Sequence, residues 1–131
     1  VLVAFASPQE VDQLWPLFSQ RMQKACDRCG GDLSSGMLWQ MCRSGAAYMM
    51  VAHDTEKAWM ASVWRFEDWP TGTVMRCLAL AGENPRLWAK DAKEFAVKAR
   101  DAGGAKRFIF EGRDWRPFFP EARELRRVYE V

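Results

Sequence analysis

The alternation of apolar and polar positions divides the chain into strand-like and helix-like stretches. Val1-Leu2-Val3-Ala4-Phe5-Ala6 is short and apolar and reads as a first strand. Ser7-Pro8-Gln9-Glu10 then forms a capping box. Ser7 accepts from the N–H three residues on, Glu10 reaches back, and Pro8 loses nothing at the first helical position. Val11, Leu14, Trp15, Phe18 and Met22 follow at helical spacing, with Pro16 expected to kink or restart the helix and Gly30-Gly31 to end it. A second short helix is predicted from the cap candidates Ser34-Ser35 through Met37–Cys42 to Ser44-Gly45. The pattern then changes to a meander. Ala46–Ala52 is a continuous apolar run, His53–Glu56 a turn, Lys57–Phe66 a return strand, Trp69–Gly72 a second turn and Thr73–Ala81 a third strand.

Gly82-Glu83-Asn84-Pro85 is the sharpest boundary. Asn84 suits an N-cap and Pro85 the first turn, and Gly103-Gly104 closes a helix whose apolar face is Trp88, Ala92, Phe95, Ala96 and Ala99. Lys106–Phe110 reads as a strand, Gly112–Pro120 as a loop or short helix, and Arg126–Val131 as a terminal strand. The order β-α-α-β-β-β-α-β-α-β describes an α/β (α+β) chain. Its meander leads through one crossover helix to a parallel strand, in a single domain over residues 1–131.

Composition adds limits. At 131 residues, 49% hydrophobic and 27% charged, the chain can build one core without a structural metal. No apolar run approaches a membrane span, and no charged-then-apolar leader opens it. A net charge of +2 is too small to point to nucleic acid. Four cysteines without an export signal fit reduced thiols and a cytoplasmic setting. Cys26-x-x-Cys29 lacks two further ligands for zinc, since Cys42 and Cys77 stand alone and His53 is the one histidine. Both thiols fall at a helix C-terminus and read as free, and no metal is expected. Seven tryptophans suggest aromatic stacking on single strands, but helix-face and strand placement accounts for most of them. Trp59 and Trp64, five apart, fall on opposite faces of a regular strand. Arg113, Trp115 and Arg116 are the remaining surface group.

The chemistry is concentrated at the third meander strand's junction with the helix that follows. A helix starting just after a glycine at a strand's end aims free N–H groups outward, and Arg86 adds a cation. The element order resembles the GNAT acyltransferase family, in which that loop cradles the pyrophosphate of acetyl-CoA. Leu38-Trp39-Gln40-Met41-Cys42-Arg43-Ser44-Gly45-Ala46-Ala47 and Phe110-Glu111-Gly112-Arg113-Asp114-Trp115 resemble segments of small phage-encoded members.

The resemblance implies acyl transfer from acetyl-CoA, or another acyl-CoA, to an amine. It places the cofactor on Leu80, Ala81, Gly82, Asn84, Arg86 and Leu87. A base would come from Glu67 or Asp68 on the meander, or from Glu83 in the loop. The loop departs from the family's Gln/Arg-x-x-Gly-x-Gly/Ala pattern in having one glycine, an acid and a proline. Phe118-Phe119 stand where the family often has a tyrosine. The alternative is a non-catalytic GNAT-fold phage protein, virion-associated or binding a host protein, located in the host cytoplasm or the virion. Exposed meander edges would also admit a homodimer.

Overall fold

The computed structural model describes residues 1–131. Five strands form one sheet in the order β1-β2-β3-β4-β5, comprising β1 (Leu2–Phe5), β2 (Tyr48–His53), β3 (Ala58–Trp69), β4 (Gly72–Gly82) and β5 (Arg107–Ile109). The first four pair antiparallel and β5 joins β4 in parallel. This is the mixed sheet that the hydropathy pattern predicts. Three helices cover it, α1 (Pro8–Arg28), α2 (Ser35–Ser44) and α3 (Ala89–Ala102).

The sheet is apolar on both faces, so it carries two cores. Val11, Trp15, Phe18 and Met22 of α1 and Leu38 of α2 pack on Met49, Val51, Ala61 and Val63. On the other face Trp88, Ala92 and Ala96 pack on Met60, Trp64 and Met75. The capping box at Ser7 and Glu10 is formed, with Ser7 N–H donating to Glu10 Oε1 at 2.9 Å. Pro16 does not break α1, which runs as one helix past it. Pro16 and Asp12 are both exposed, so the Asp12 carbonyl deprived of its donor can turn to water.

Three further expectations are corrected. Trp59 and Trp64 share one face, because the β2–β3 register passes from Ala52↔Met60 to His53↔Ala58 and leaves Trp59 as a bulged residue. Asn84 is no helix cap. Its φ of 50° is left-handed, its side chain caps nothing, and α3 starts five residues later, after a single 3-10 turn over Pro85–Leu87. Arg126–Val131 forms no strand. No backbone hydrogen bond reaches beyond Ala122, and Val128 and Tyr129 are 85% and 77% exposed. Ion pairs of Arg126 with Glu111 and of Arg127 with Glu124 are the tail's ties, too little to offset the entropy of ordering it.

Candidate acyl-transfer cleft

Strands β4 and β5 make a wedge. They pair only from Val74↔Arg107 to Arg76↔Ile109, after which the chains diverge and Cys77–Gly82 lose their neighbour on that side. Within the free stretch β4 carries a bulge. Val63 pairs with Ala79 and Trp64 with Cys77, so Leu78 has no opposite residue. Leu78 and Ala79 therefore both turn to the α1 side. The wedge opens on that side as a cleft of about 30 Å³, room for one or two waters. Its walls are Cys77–Leu80 of β4, Cys29 at the end of α1, and Glu111 and Arg113 in the turn after β5.

The loop from β4 to α3 is held by Trp88. Its indole is 5% exposed, lies against Gly82, and donates from Nε1 to the Glu83 carbonyl at 2.8 Å. A Cβ on Gly82 would stand 2.9 Å from Trp88 Cζ2 and 3.2 Å from Met60. Gly82 is thus required by packing. Swinging Trp88 inward takes residue 88 out of helical geometry (φ −134°, ψ −18°), which delays α3 to Ala89. The first intrahelical bond is Ala92 N–H to Trp88 O, so the N–H groups of Ala89, Lys90 and Asp91 are left for other acceptors.

Glu83 does not leave this loop negative. Lys57 forms an ion pair with it and holds its pKa below the usual carboxylate value. Asn84, Pro85, Arg86 and Leu87 are exposed along the loop, and Arg86 has no carboxylate partner. Leu80 and Ala81 remain in β4, Leu80 on the α3 side and Ala81 on the α1 side.

Glu67 lies far from this loop. The register places it opposite Val74 and places Gly82 opposite Met60, so eight residues of β4, roughly 25 Å, separate it from Glu83. The two carboxylates are not brought together. Burial pushes the Glu67 pKa up, but bonds from Trp69 and Arg65 and the charge of Arg76 outweigh it and hold the group ionised. Arg65 Nε donates to it at 2.6 Å, Trp69 Nε1 at 2.9 Å and Arg76 Nη1 at 3.2 Å. Arg76 also reaches Glu111, so a chain Glu67–Arg76–Glu111 ends at the cleft wall. Asp68 is exposed and accepts from Thr73.

Cleft residues absent from the sequence reading are Cys29 and Glu111 as wall groups and Arg28 as a cleft cation. They come from segments more than 80 residues apart, and no spacing in one segment signals them. Cys29 belongs to the C-x-x-C pair, but no group of three His, Cys, Asp or Glu stands together to hold a metal ion. All four thiols are free. Burial pushes the Cys42 thiol up to about 12 and raises Cys26, Cys29 and Cys77 as well. No helix is long and apolar enough to cross a membrane.

No protein-family model matches the chain, and no curated protein matches it in sequence. Solved structures do match in fold. A ribosomal-protein-alanine N-acetyltransferase from Brucella melitensis biovar Abortus superposes with a TM-score of 0.73 at 12% identity, over 100% of this chain and 99% of that one. An aminoglycoside acetyltransferase from an uncultured soil metagenomic sample, in complex with trehalose, gives 0.70 at 12% identity over 99% and 94%. A predicted acetyltransferase from Clostridium acetobutylicum, bound to acetyl-CoA, gives 0.68 at 11% identity over 99% and 94%. With its diverging β4 and β5 and the helix α3 that links them, the chain has the GNAT acetyltransferase fold.

Proposed function

We propose that this protein is an N-acyltransferase that moves an acetyl group from acetyl-CoA to an amine. The observation that carries the reading is the bulged, unpartnered stretch Cys77–Gly82 of β4 leading into the free N–H groups of α3. An unpaired strand edge offers N–H and C=O groups to an amide-bearing arm, as an added strand would. The start of α3, with Arg86 and Lys90 exposed beside it, offers donors and charge to phosphates. The Clostridium acetobutylicum protein of this fold was solved with acetyl-CoA.

Acetyl-CoA supplies an activated thioester carbonyl. Backbone N–H groups at the Leu78 bulge would polarise that carbonyl, and the wedge would hold the amine in line with it. The phosphate-binding end lies with α3, so the acceptor enters by the opening on the α1 side. Glu111 is the carboxylate on that wall and takes the proton of the attacking amine, directly or through a water. Glu67 acts as a positioning residue by holding Arg76, which holds Glu111. Glu83 and Lys57 form a neutral pair at the phosphate end. The products are an amide and the CoA thiol.

A second reading, a GNAT-fold binding module without transfer, draws on the narrowness of the cleft and on Pro85, which has no N–H for a phosphate. Thermal unfolding with millimolar acetyl-CoA, against ATP as a polyanion control, separates the two. Ligand at about 100 times its Kd stabilises by about 2.7 kcal/mol. A shift specific to acetyl-CoA, with CoA thiol released when an amine is added, supports transfer. A shift without release supports the binding module, and no shift at saturating ligand refutes the cofactor assignment.

A further inference from the structure

The cleft on the α1 side has an unusual charge balance. Two of its wall residues, Arg28 in the last turn of α1 and Arg113 in the turn after β5, approach it from opposite sides. Seven of the thirteen arginines hold a carboxylate within 4 Å. Arg28 and Arg113 are among the six that do not, with Arg21, Arg86, Arg107 and Arg123, and they are the two of these that line the cleft. The cleft's one carboxylate, Glu111, is already engaged by Arg76 and faces Arg126 at 3.9 Å.

Both guanidiniums bear on one atom. Burial raises the Cys29 thiol, with the carboxylates of Glu111 and Asp32 adding to it, while Arg28 and Arg113 each pull it down. Cys29 Sγ also marks the seam between the walls, since a Cβ on Gly112 would stand 2.9 Å from it. Arg28 compensates the C-terminal end of the α1 dipole, as any cation there would. Arg113 belongs to no helix, so that explanation does not extend to it.

We propose that the acceptor is an amine that also carries a carboxylate, such as an amino acid, recognised by Arg28 and Arg113. A planar guanidinium meets a carboxylate through two parallel N–H···O bonds, which fixes orientation as well as position. An acceptor held in this way has its amine a short chain from the anchor, directed toward the Leu78 bulge. A diamine would meet two cations and be repelled. The proposal rests on the acyltransferase reading for the word acceptor, but the anion site does not depend on transfer.

The test therefore has two independent readouts. The first is direct binding of L-glutamate, its diamide and putrescine, measured by NMR shift perturbation without acetyl-CoA, on wild type, Arg113→Glu and Arg113→Lys. The second is acetyl transfer to the same three amines, followed by mass spectrometry. Both arginines are exposed, so the variants should fold, and unchanged Tm values verify it.

Glutamate should bind at least 10-fold more tightly than its diamide. Arg113→Glu should weaken it by about 10- to 100-fold, and Arg113→Lys by less. Kcat/KM for glutamate should fall in parallel, while the acetyl-CoA thermal shift is unchanged. Glutamate and diamide binding equally, or putrescine binding best, overturns the proposal whatever acetyl-CoA does. Selective glutamate binding without an acetyl-CoA shift upholds the anion site and refutes the transferase reading instead.

Discussion

Replacing Gly82 by alanine separates two roles for a residue that a phosphate-loop reading would assign to the ligand. The added methyl would lie 2.9 Å from Trp88 Cζ2 and 3.2 Å from Met60, closer than packed carbons tolerate. Trp88 cannot swing aside freely, because its Nε1 donates to the Glu83 carbonyl at 2.8 Å and its ring is 5% exposed. Overpacking of this kind costs about 1–3 kcal/mol. Losing the indole bond adds about 1 kcal/mol, so the total is about 2–4 kcal/mol. At roughly 4 °C per kcal/mol for a domain of this size, Tm should fall by about 8–16 °C. The protein would still be folded at 25 °C, given the usual 5–15 kcal/mol of domain stability.

The assay is thermal unfolding of wild type, Gly82→Ala, Trp88→Leu and the double variant. If the clash is with the indole, alanine at 82 should cost clearly less in the Trp88→Leu background, with a coupling of at least about 1 kcal/mol. A Gly82→Ala Tm within 1 °C of wild type would refute the packing argument. So would a penalty that is the same in both backgrounds.

Glu67→Gln should destabilise the protein by about 2–3 kcal/mol, because it leaves Arg76 with Glu111 alone and Arg65 with none. The Glu67 pKa is lowered in the fold, so its contribution is present above the ordinary value of 4.5 and is lost as pH falls through the folded value. Urea titrations from pH 7 down to pH 3 should show the wild type losing this stability while Glu67→Gln does not, and parallel curves would contradict the assignment. Among the thiols, Cys26, Cys42 and Cys77 are buried with raised pKa values, so at most Cys29 should react with a disulfide reagent at pH 8 before unfolding. Two or more fast-reacting thiols in the native protein would show that the α1-side core is looser than described. Gly103→Ala should also be destabilising, since its Cβ would fall 2.3 Å from the Phe66 ring. Relief of that penalty by Phe66→Ala would identify the contact.

What the sequence could carry was local. The capping box at Ser7, the Ser34 cap of α2 and the turn at Trp69–Gly72 involve residues within four positions of each other, and each formed as its pattern predicts. The mixed sheet followed from period and order, because a meander that enters a crossover helix has few places to return. The failures share a different property. Asn84 has every local credential of a cap, yet residue 88 decides where α3 starts, because burying an indole outweighs the roughly 1 kcal/mol of a cap. Trp59 leaves its alternation because β3 carries one residue more than β2 between Ala58 and Met60, and how a strand pairs with a distant partner leaves no mark in its own spacing. Arg126–Val131 has strand propensity but pairs with no strand, and the neighbouring sheet edge, β5, offers only three residues.

The site obeys the same division. Its frame, the β4-to-α3 junction, is one contiguous segment and could be located by reading along the chain. Its walls are not contiguous. Arg28 and Cys29 end the first helix and Glu111 and Arg113 follow the last strand, and the wedge between β4 and β5 is what puts them face to face. The same wedge explains why the carboxylates named from position do not serve as a pair. Glu67 lies on β3 opposite Val74 and Glu83 lies just past the end of β4, and the β3–β4 ladder, interrupted only by the Leu78 bulge, runs the length between them and holds the two groups apart. Only where pairing stops can residues distant in sequence converge on an opening, and Arg28 and Arg113 line the one between β4 and β5. On the proposed function, charge selection of the acceptor and phosphate binding of the donor would be separable, the first at the free edge of β4 beside β5 and the second at the loop beyond the end of β4.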